Sequence, residues 1–197
     1  MLNEKLKKHN LILASGSPRR HQIFRDLGLE FEIRIKSIKE DYPEHLKYTE
    51  ISDYLARLKA TPFEKELKDN DILITSDTIV WHNNKAIGKP ENKENAFNMI
   101  KSFCNSTHEV LTSVNFKTTS HEKTVNAITK VTFEKLTDEE ISYYINNFET
   151  LDKAGAYGIQ DWIGLVAVKH IEGSYLNVMG FPVHLVYKTL NEITDNQ

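Results

Sequence analysis

The chain has 197 residues, of which 40% are hydrophobic and 27% charged, enough apolar material for one domain-sized core under a charged surface. A formal net charge of −3 excludes the global basic field that draws nucleic acid or anionic lipid, although a local Lys/Arg cluster can still hold a small anion. The single Cys104 excludes an internal disulfide and an all-cysteine metal site. No apolar run approaches a membrane span or a signal-peptide core, so the expected setting is cytoplasmic, with neither membrane nor nucleic acid as partner.

Residues 11–14 (LILA) form a short apolar run of the kind found in buried strands. Ser17 and Pro18 then read as the N-cap and first position of a helix through RRHQIFRDLG, with Gly28 as its stop. FEIRI (31–35) alternates as a half-buried strand does. Residues 50–60 place Ile51, Tyr54, Leu55 and Leu58 at helical spacing, and Pro62 ends or kinks that helix. ILIT (72–75) is a second buried strand, and TIVW and KAIG pair as a hairpin across Asn83-Asn84.

Residues 91–103 present Ala96, Phe97, Ile100 and Phe103 on one helical face. EVLTSVNFKT and TVNAITKVTFEK follow as strands joined around Ser120-His121. Thr137 and Glu140 make a capping box for a helix, LVAVKHI reads as a strand, and Pro182 opens a last helix with Leu185, Val186, Leu190 and Ile193 inward. No repeat or linker marks a boundary. The sequence predicts one α/β domain over residues 1–197, with a mixed sheet and flanking helices.

Four segments carry candidate chemistry. The strand-to-helix junction Ser15-Gly16-Ser17-Pro18-Arg19-Arg20 offers helix N–H groups, hydroxyls and two guanidinium forks, which suit phosphate; an ordinary capped helix with solvated arginines uses the same residues. It is neither a Walker A loop nor GxGxxG. Asp77, in Ser76-Asp77-Thr78, follows a buried strand, where α/β sheets usually bind ligands. An unperturbed aspartate is a weak base toward water, but a divalent cation lowers the water's pKa. A turn-capping aspartate is the alternative.

Lys89 in Gly88-Lys89-Pro90 is either a held phosphate ligand or a solvated charge. In the small-residue segment 152–160, Gln160 offers a paired donor and acceptor to a base edge, or belongs to a plain loop. The eight histidines fall in no HxxxH or HExxH pattern, and no GxSxG elbow is present.

LASGSPRR, Glu40-Asp41-Tyr42-Pro43, LARLKA, SDTIVW, GKP, THEVLTSV, LDKAGAYGIQ and GSYLNVMGFP occur in an order that resembles the Maf family of nucleotide pyrophosphatases, from about residue 11 to 190. The resemblance implies an elongated mixed α/β fold with two lobes around a nucleotide-binding cleft, commonly dimeric. It implies hydrolysis of a nucleoside triphosphate to the monophosphate and pyrophosphate with a divalent cation, Mg²⁺ or Mn²⁺. Asp77 matches the catalytic acidic residue. Ser15, Arg20, Lys59 and Lys89 match phosphate-site positions, and Glu40 with Asp77 the metal site. Arg19, Thr78 and Gln160 match the positions that set base preference in the dTTP/UTP branch.

A purine or 7-methyl-GTP pyrophosphatase is the sibling alternative, and a nucleotide-binding regulator of cell division is the alternative of another class. The chain departs from the family pattern at Phe103-Cys104-Asn105-Ser106, where a glycine is common. It departs again at Asp161-Trp162, where a charge and a large ring follow Gln160.

Overall fold

The computed structural model describes residues 1–195. In chain order the elements are α1 (Leu2–Leu6), β1 (Asn10–Leu13), α2 (Pro18–Asp26), β2 (Glu32–Ile33), α3 (Thr49–Leu58), β3 (Asp71–His82), β4 (Lys85–Ile87) and α4 (Lys93–Phe103). There follow β5 (Thr107–Lys117), β6 (Glu122–Phe133), α5 (Asp138–Asn147), α6 (Trp162–Val166), β7 (Val168–Glu172), α7 (Tyr175–Val178) and α8 (Val183–Asp195). The expected mixed α/β class holds. One seven-stranded sheet runs β2-β1-β3-β5-β6-β7, with β4 paired to β3. β1 is parallel to both β2 and β3, while β3–β4 and β6–β7 are antiparallel.

The described chain divides into two compact units. The first comprises Met1–Asp77, Thr112–Ala127 and the segment from Gly180 onward; the second comprises Thr78–Leu111 and Ile128–Met179. Each buries its own core. In the first, Leu11, Leu13, Phe24, Ile72, Ile74, Phe116, Phe181, Val186 and Leu190 pack together, while Ile12, Leu73, Ala60 and Phe63 fill the opposite side of β1 and β3. This split follows the period-two alternation of a sheet covered on both faces. In the second, Ile100, Phe103, Val131, Phe133, Tyr144, Tyr157 and Ile163 are central.

Local signals in the sequence are reproduced closely. Asn83 and Asn84 both take positive φ (49° and 59°), the conformation that a two-residue hairpin requires. Asn105, just after α4, sits at φ 52°, a left-handed conformation that asparagine tolerates. Thr137 and Glu140 form the capping box in both directions.

Three expectations need correction. FEIRI yields only the two-residue β2 at the sheet edge, and Ile33 and Ile35 are 40% and 64% exposed, so the alternation does not mark a covered face here. Asp71, ILIT, SDT and IVWH form one twelve-residue strand rather than two. Residues 165–166 of LVAVKHI close the helix α6, and Leu165 is 84% exposed. A short apolar run does not by itself separate strand from helix. Residues 2–6 carry no helix expectation, yet they form α1, with Leu2 and Leu6 buried and the Lys5 ammonium bonding Asn191 of α8 at 3.2 Å. Among the described residues no helix is long and apolar enough to cross a membrane.

Candidate active site

Asp77 lies within β3, three residues beyond Ile74, the last residue at which β1 pairs with that strand. It therefore stands at the carboxyl rim of the parallel pair even though its own strand continues. Its side chain is only 7% exposed, and it accepts a 2.6 Å bond from the Lys59 ammonium. Lys59 is the C-cap residue of α3, whose buried face, Ile51, Ser52, Leu55 and Ala56, fixes where the helix ends. The same ammonium lies 3.1 Å from Glu40 Oε1, in the long segment between β2 and α3. One half-sheltered cation thus joins two carboxylates that are 37 residues apart in sequence (77 − 40).

On α2, Arg20 spends its fork on the protein. Nε donates to the Gly180 carbonyl and Nη1 to the Ser76 carbonyl, each at 2.9 Å, and Nη1 lies 3.5 Å from Ser15 Oγ. Burial pushes its pKa down to about 10, with the Asp77 charge opposing that shift, so the guanidinium stays cationic at neutral pH. Ser15 is 8% exposed; its hydroxyl accepts from the Ser17 N–H at 3.2 Å.

Ser17 occupies the N-cap of α2 and Pro18 the first turn, as the sequence predicts, but the Ser17 side chain makes no capping bond. The first N–H groups of α2 therefore receive no side-chain cap from Ser17, the state in which a helix start attracts anions. His21 was not singled out by the sequence. Its Nε2 lies 2.6 Å from the Ser15 carbonyl, which only accepts, so the ring donates and steadies the loop. An i to i+6 pairing across a helix start leaves no simple sequence signal.

Ser15, Arg20, Glu40, Lys59 and Asp77 thus converge within the first unit, with Arg19 near enough to Arg20 to disfavour its charge. The remaining three predicted residues belong to the second unit. Thr78 follows Asp77 on β3 and is half-buried; Lys89 is exposed between Gly88 and the buried Pro90. Gln160 is exposed in the loop before α6, its Nε2 3.2 Å from Asp161 Oδ1. Trp162, whose bulk was an open question, packs against Tyr143 of α5 (ring centroids 5.0 Å apart).

The donor set suits a hard divalent cation. Asp77 and Glu40 offer carboxylate oxygens, and they already share one positive charge in the Lys59 ammonium. Among the described residues no three His, Cys, Asp or Glu side chains form a metal-sized group. Mg²⁺ is commonly held by one or two carboxylates completed by phosphate oxygens and water.

A sequence profile of the family described as Maf-like protein matches residues 10–193. The chain is 61% identical over 193 residues to the dTTP/UTP pyrophosphatase of Flavobacterium johnsoniae, covering 98% of this chain and all of that one. It is 51% identical to the dTTP/UTP pyrophosphatase of Christiangramia forsetii, covering both chains fully. The enzyme of the same name from Bacteroides thetaiotaomicron is 41% identical, over 95% of this chain and 98% of that one. Among solved structures, the Staphylococcus aureus Ham1 protein superposes with a TM-score of 0.51 at 12% identity, covering 93% of this chain and 98% of that one, a likeness of fold alone.

Proposed function

The chain belongs to the Maf family, and on that premise we propose that it hydrolyses dTTP and UTP to the nucleoside monophosphate and pyrophosphate, with Asp77 as the catalytic base. The observation that carries the reading is the buried Asp77 carboxylate held by Lys59 beside Glu40, with the Arg20 charge acting on it. Phosphoryl-type displacement needs little covalent help from a protein; it needs a positioned nucleophile and compensation of charge. Asp77 takes a proton from the attacking water as that oxygen bonds to the α-phosphorus. The bond from the α-phosphorus to the bridging oxygen breaks, and pyrophosphate leaves with its electron pair.

Lys59 and Arg20 offset charge on the triphosphate, and in this proposal Lys89 joins them. Ser15 and the start of α2 contribute hydroxyl and N–H donors. Asp77 and Glu40 are the residues that would hold Mg²⁺ or Mn²⁺, which when bound lowers the pKa of water and neutralises phosphate oxygens. Arg19, Thr78 and Gln160 recognise the base. The reading takes in a cytoplasmic enzyme working as a homodimer.

A panel of triphosphates assayed with Mg²⁺ or Mn²⁺ for released pyrophosphate tests the proposal. The highest kcat/KM is expected for dTTP and UTP. A clear preference for 7-methyl-GTP or a purine triphosphate would overturn the substrate assignment. Absence of hydrolysis across the panel would favour a nucleotide-binding regulator instead.

A further inference from the structure

Asp161, the residue after Gln160, is engaged through both of its carboxylate oxygens. Asp161 Oδ1 accepts from Gln160 Nε2 at 3.2 Å. Asp161 Oδ2 accepts from the Tyr144 hydroxyl at 2.8 Å, and that hydroxyl accepts in turn from the Gly158 N–H at 3.0 Å. Tyr144 is fully buried on α5, so the relay is anchored in the core of the second unit. The turn is closed by the Asp161 N–H on the Gly158 carbonyl at 3.0 Å. Gly158 makes room for it, since a Cβ there would sit 2.6 Å from both Asp161 Oδ2 and Gln160 Nε2.

A primary amide that rotates freely is ambidextrous. It can present its oxygen to the N3–H of uracil or thymine with its N–H to the neighbouring carbonyl. Turned by half a revolution, it serves cytosine, whose N3 accepts and whose exocyclic amine donates. A carboxylate only accepts, so the nitrogen of Gln160 must face Asp161; the flipped amide would set two acceptors against each other. We propose that Asp161 is a positioning residue that fixes the hand of the Gln160 amide and so selects uracil- and thymine-type bases over cytosine. The inference rests on the reading above, in which Gln160 meets the base.

The test compares kcat and KM for UTP and CTP in the full-length wild type, Asp161→Asn, Asp161→Ala, Asp161→Glu and Gln160→Ala. The wild type is expected to favour UTP. In Asp161→Asn, whose amide can accept or donate at nearly unchanged size, the UTP:CTP ratio of kcat/KM should fall about tenfold, the equivalent of one misdirected hydrogen bond. Saturating turnover of UTP should stay within about threefold. Asp161→Ala should match it and lose nothing further when combined with Gln160→Ala. Asp161→Glu, acceptor-only like the original, should retain more selectivity than the Asn variant.

Tyr144→Phe, which frees the carboxylate from its anchor, gives an independent reading of the same ratio and should lower it too. A selective wild type whose selectivity survives Asp161→Asn within about twofold overturns the positioning role. A selective wild type in which Gln160→Ala leaves the ratio intact does so as well. A wild type indifferent to UTP and CTP overturns the positioning role too, since a freely turning Gln160 amide serves both bases. Unchanged KM for UTP in Gln160→Ala would instead overturn the base assignment of Gln160 itself, a separate failure.

Discussion

The Lys59 ammonium lies 2.6 Å from Asp77 Oδ1, on a carboxylate that is almost wholly screened from solvent. Lys59 is delivered by the end of α3 and Asp77 by the middle of β3, so the pair reports how the helix docks on the sheet. Without nucleotide the ammonium compensates the carboxylate. In the proposed mechanism the phosphates compete for that same ammonium and release Asp77 toward water.

Asp77→Asn keeps an oxygen for Lys59 to bond and should fold normally. Its pyrophosphate release at saturating Mg²⁺ should drop by about a hundred- to ten-thousandfold, the usual contribution of a general base. Lys59→Met should raise KM for the triphosphate as well as lower kcat, since it removes a phosphate partner and leaves two carboxylates facing each other without their cation. Near-normal turnover in Asp77→Asn would sink the mechanism.

Arg20→Lys replaces a planar fork with a point charge. Charge is retained, but one ammonium cannot reproduce the Nε and Nη1 bonds to the Gly180 and Ser76 carbonyls. Chemical denaturation should show a loss of about 2–3 kcal/mol, typical of a hydrogen bond to a charged group. Activity should fall roughly tenfold or more through displacement of α2. An unchanged unfolding midpoint would show that the fork is dispensable.

His108 gives the fold an acid limit. Its Nε2 lies 2.7 Å from the Tyr157 hydroxyl, its Nδ1 is buried without a hydrogen-bond partner, and Phe103 stacks on the ring at 4.3 Å. Burial, helped by the neighbouring His82, pushes its pKa down to about 3. The unfolded imidazole binds a proton near pH 6.5, and the folded one does not until about pH 3. Stability is therefore full above pH 6.5 and is lost as pH falls toward 3, with a limiting slope of about 1.4 kcal/mol per pH unit. His108→Gln, which can still bond Tyr157 but does not titrate, should flatten the dependence of Tm on pH between 6.5 and 4. Parallel profiles for the two proteins would refute the assignment.

Gly164 permits the start of α6 to abut the preceding loop: a Cβ there would fall 1.8 Å from the Ile159 carbonyl oxygen. Gly164→Ala should cost about 1–3 kcal/mol by overpacking, read from the denaturation midpoint. It should also disturb Gln160 and Asp161, which lie between the two clashing residues. An unshifted midpoint would mean that the loop yields freely.

The amino-acid sequence alone determined the parts of this protein that depend on a few neighbouring residues. The Asn83-Asn84 turn, the Thr137–Glu140 capping box and the buried face of α4 were all legible, because backbone sterics and side-chain caps act within one or two turns of chain. The family and its ordered motifs were legible for the same reason, being contiguous strings. Only the tertiary structure decided which charges meet.

Nothing in the chain between Glu40 and Asp77 says that Lys59 will touch both, that Arg20 will bond backbone carbonyls at 76 and 180, or that Asp161 will hold Gln160. Burial of apolar surface is non-directional, so it carries helices and strands together without naming their polar neighbours. Close packing then leaves each buried polar group few partners within reach. LASGSPRR named its own chemistry, while the work of Asp161 became visible only when Tyr144 and Gly158 had been placed around it.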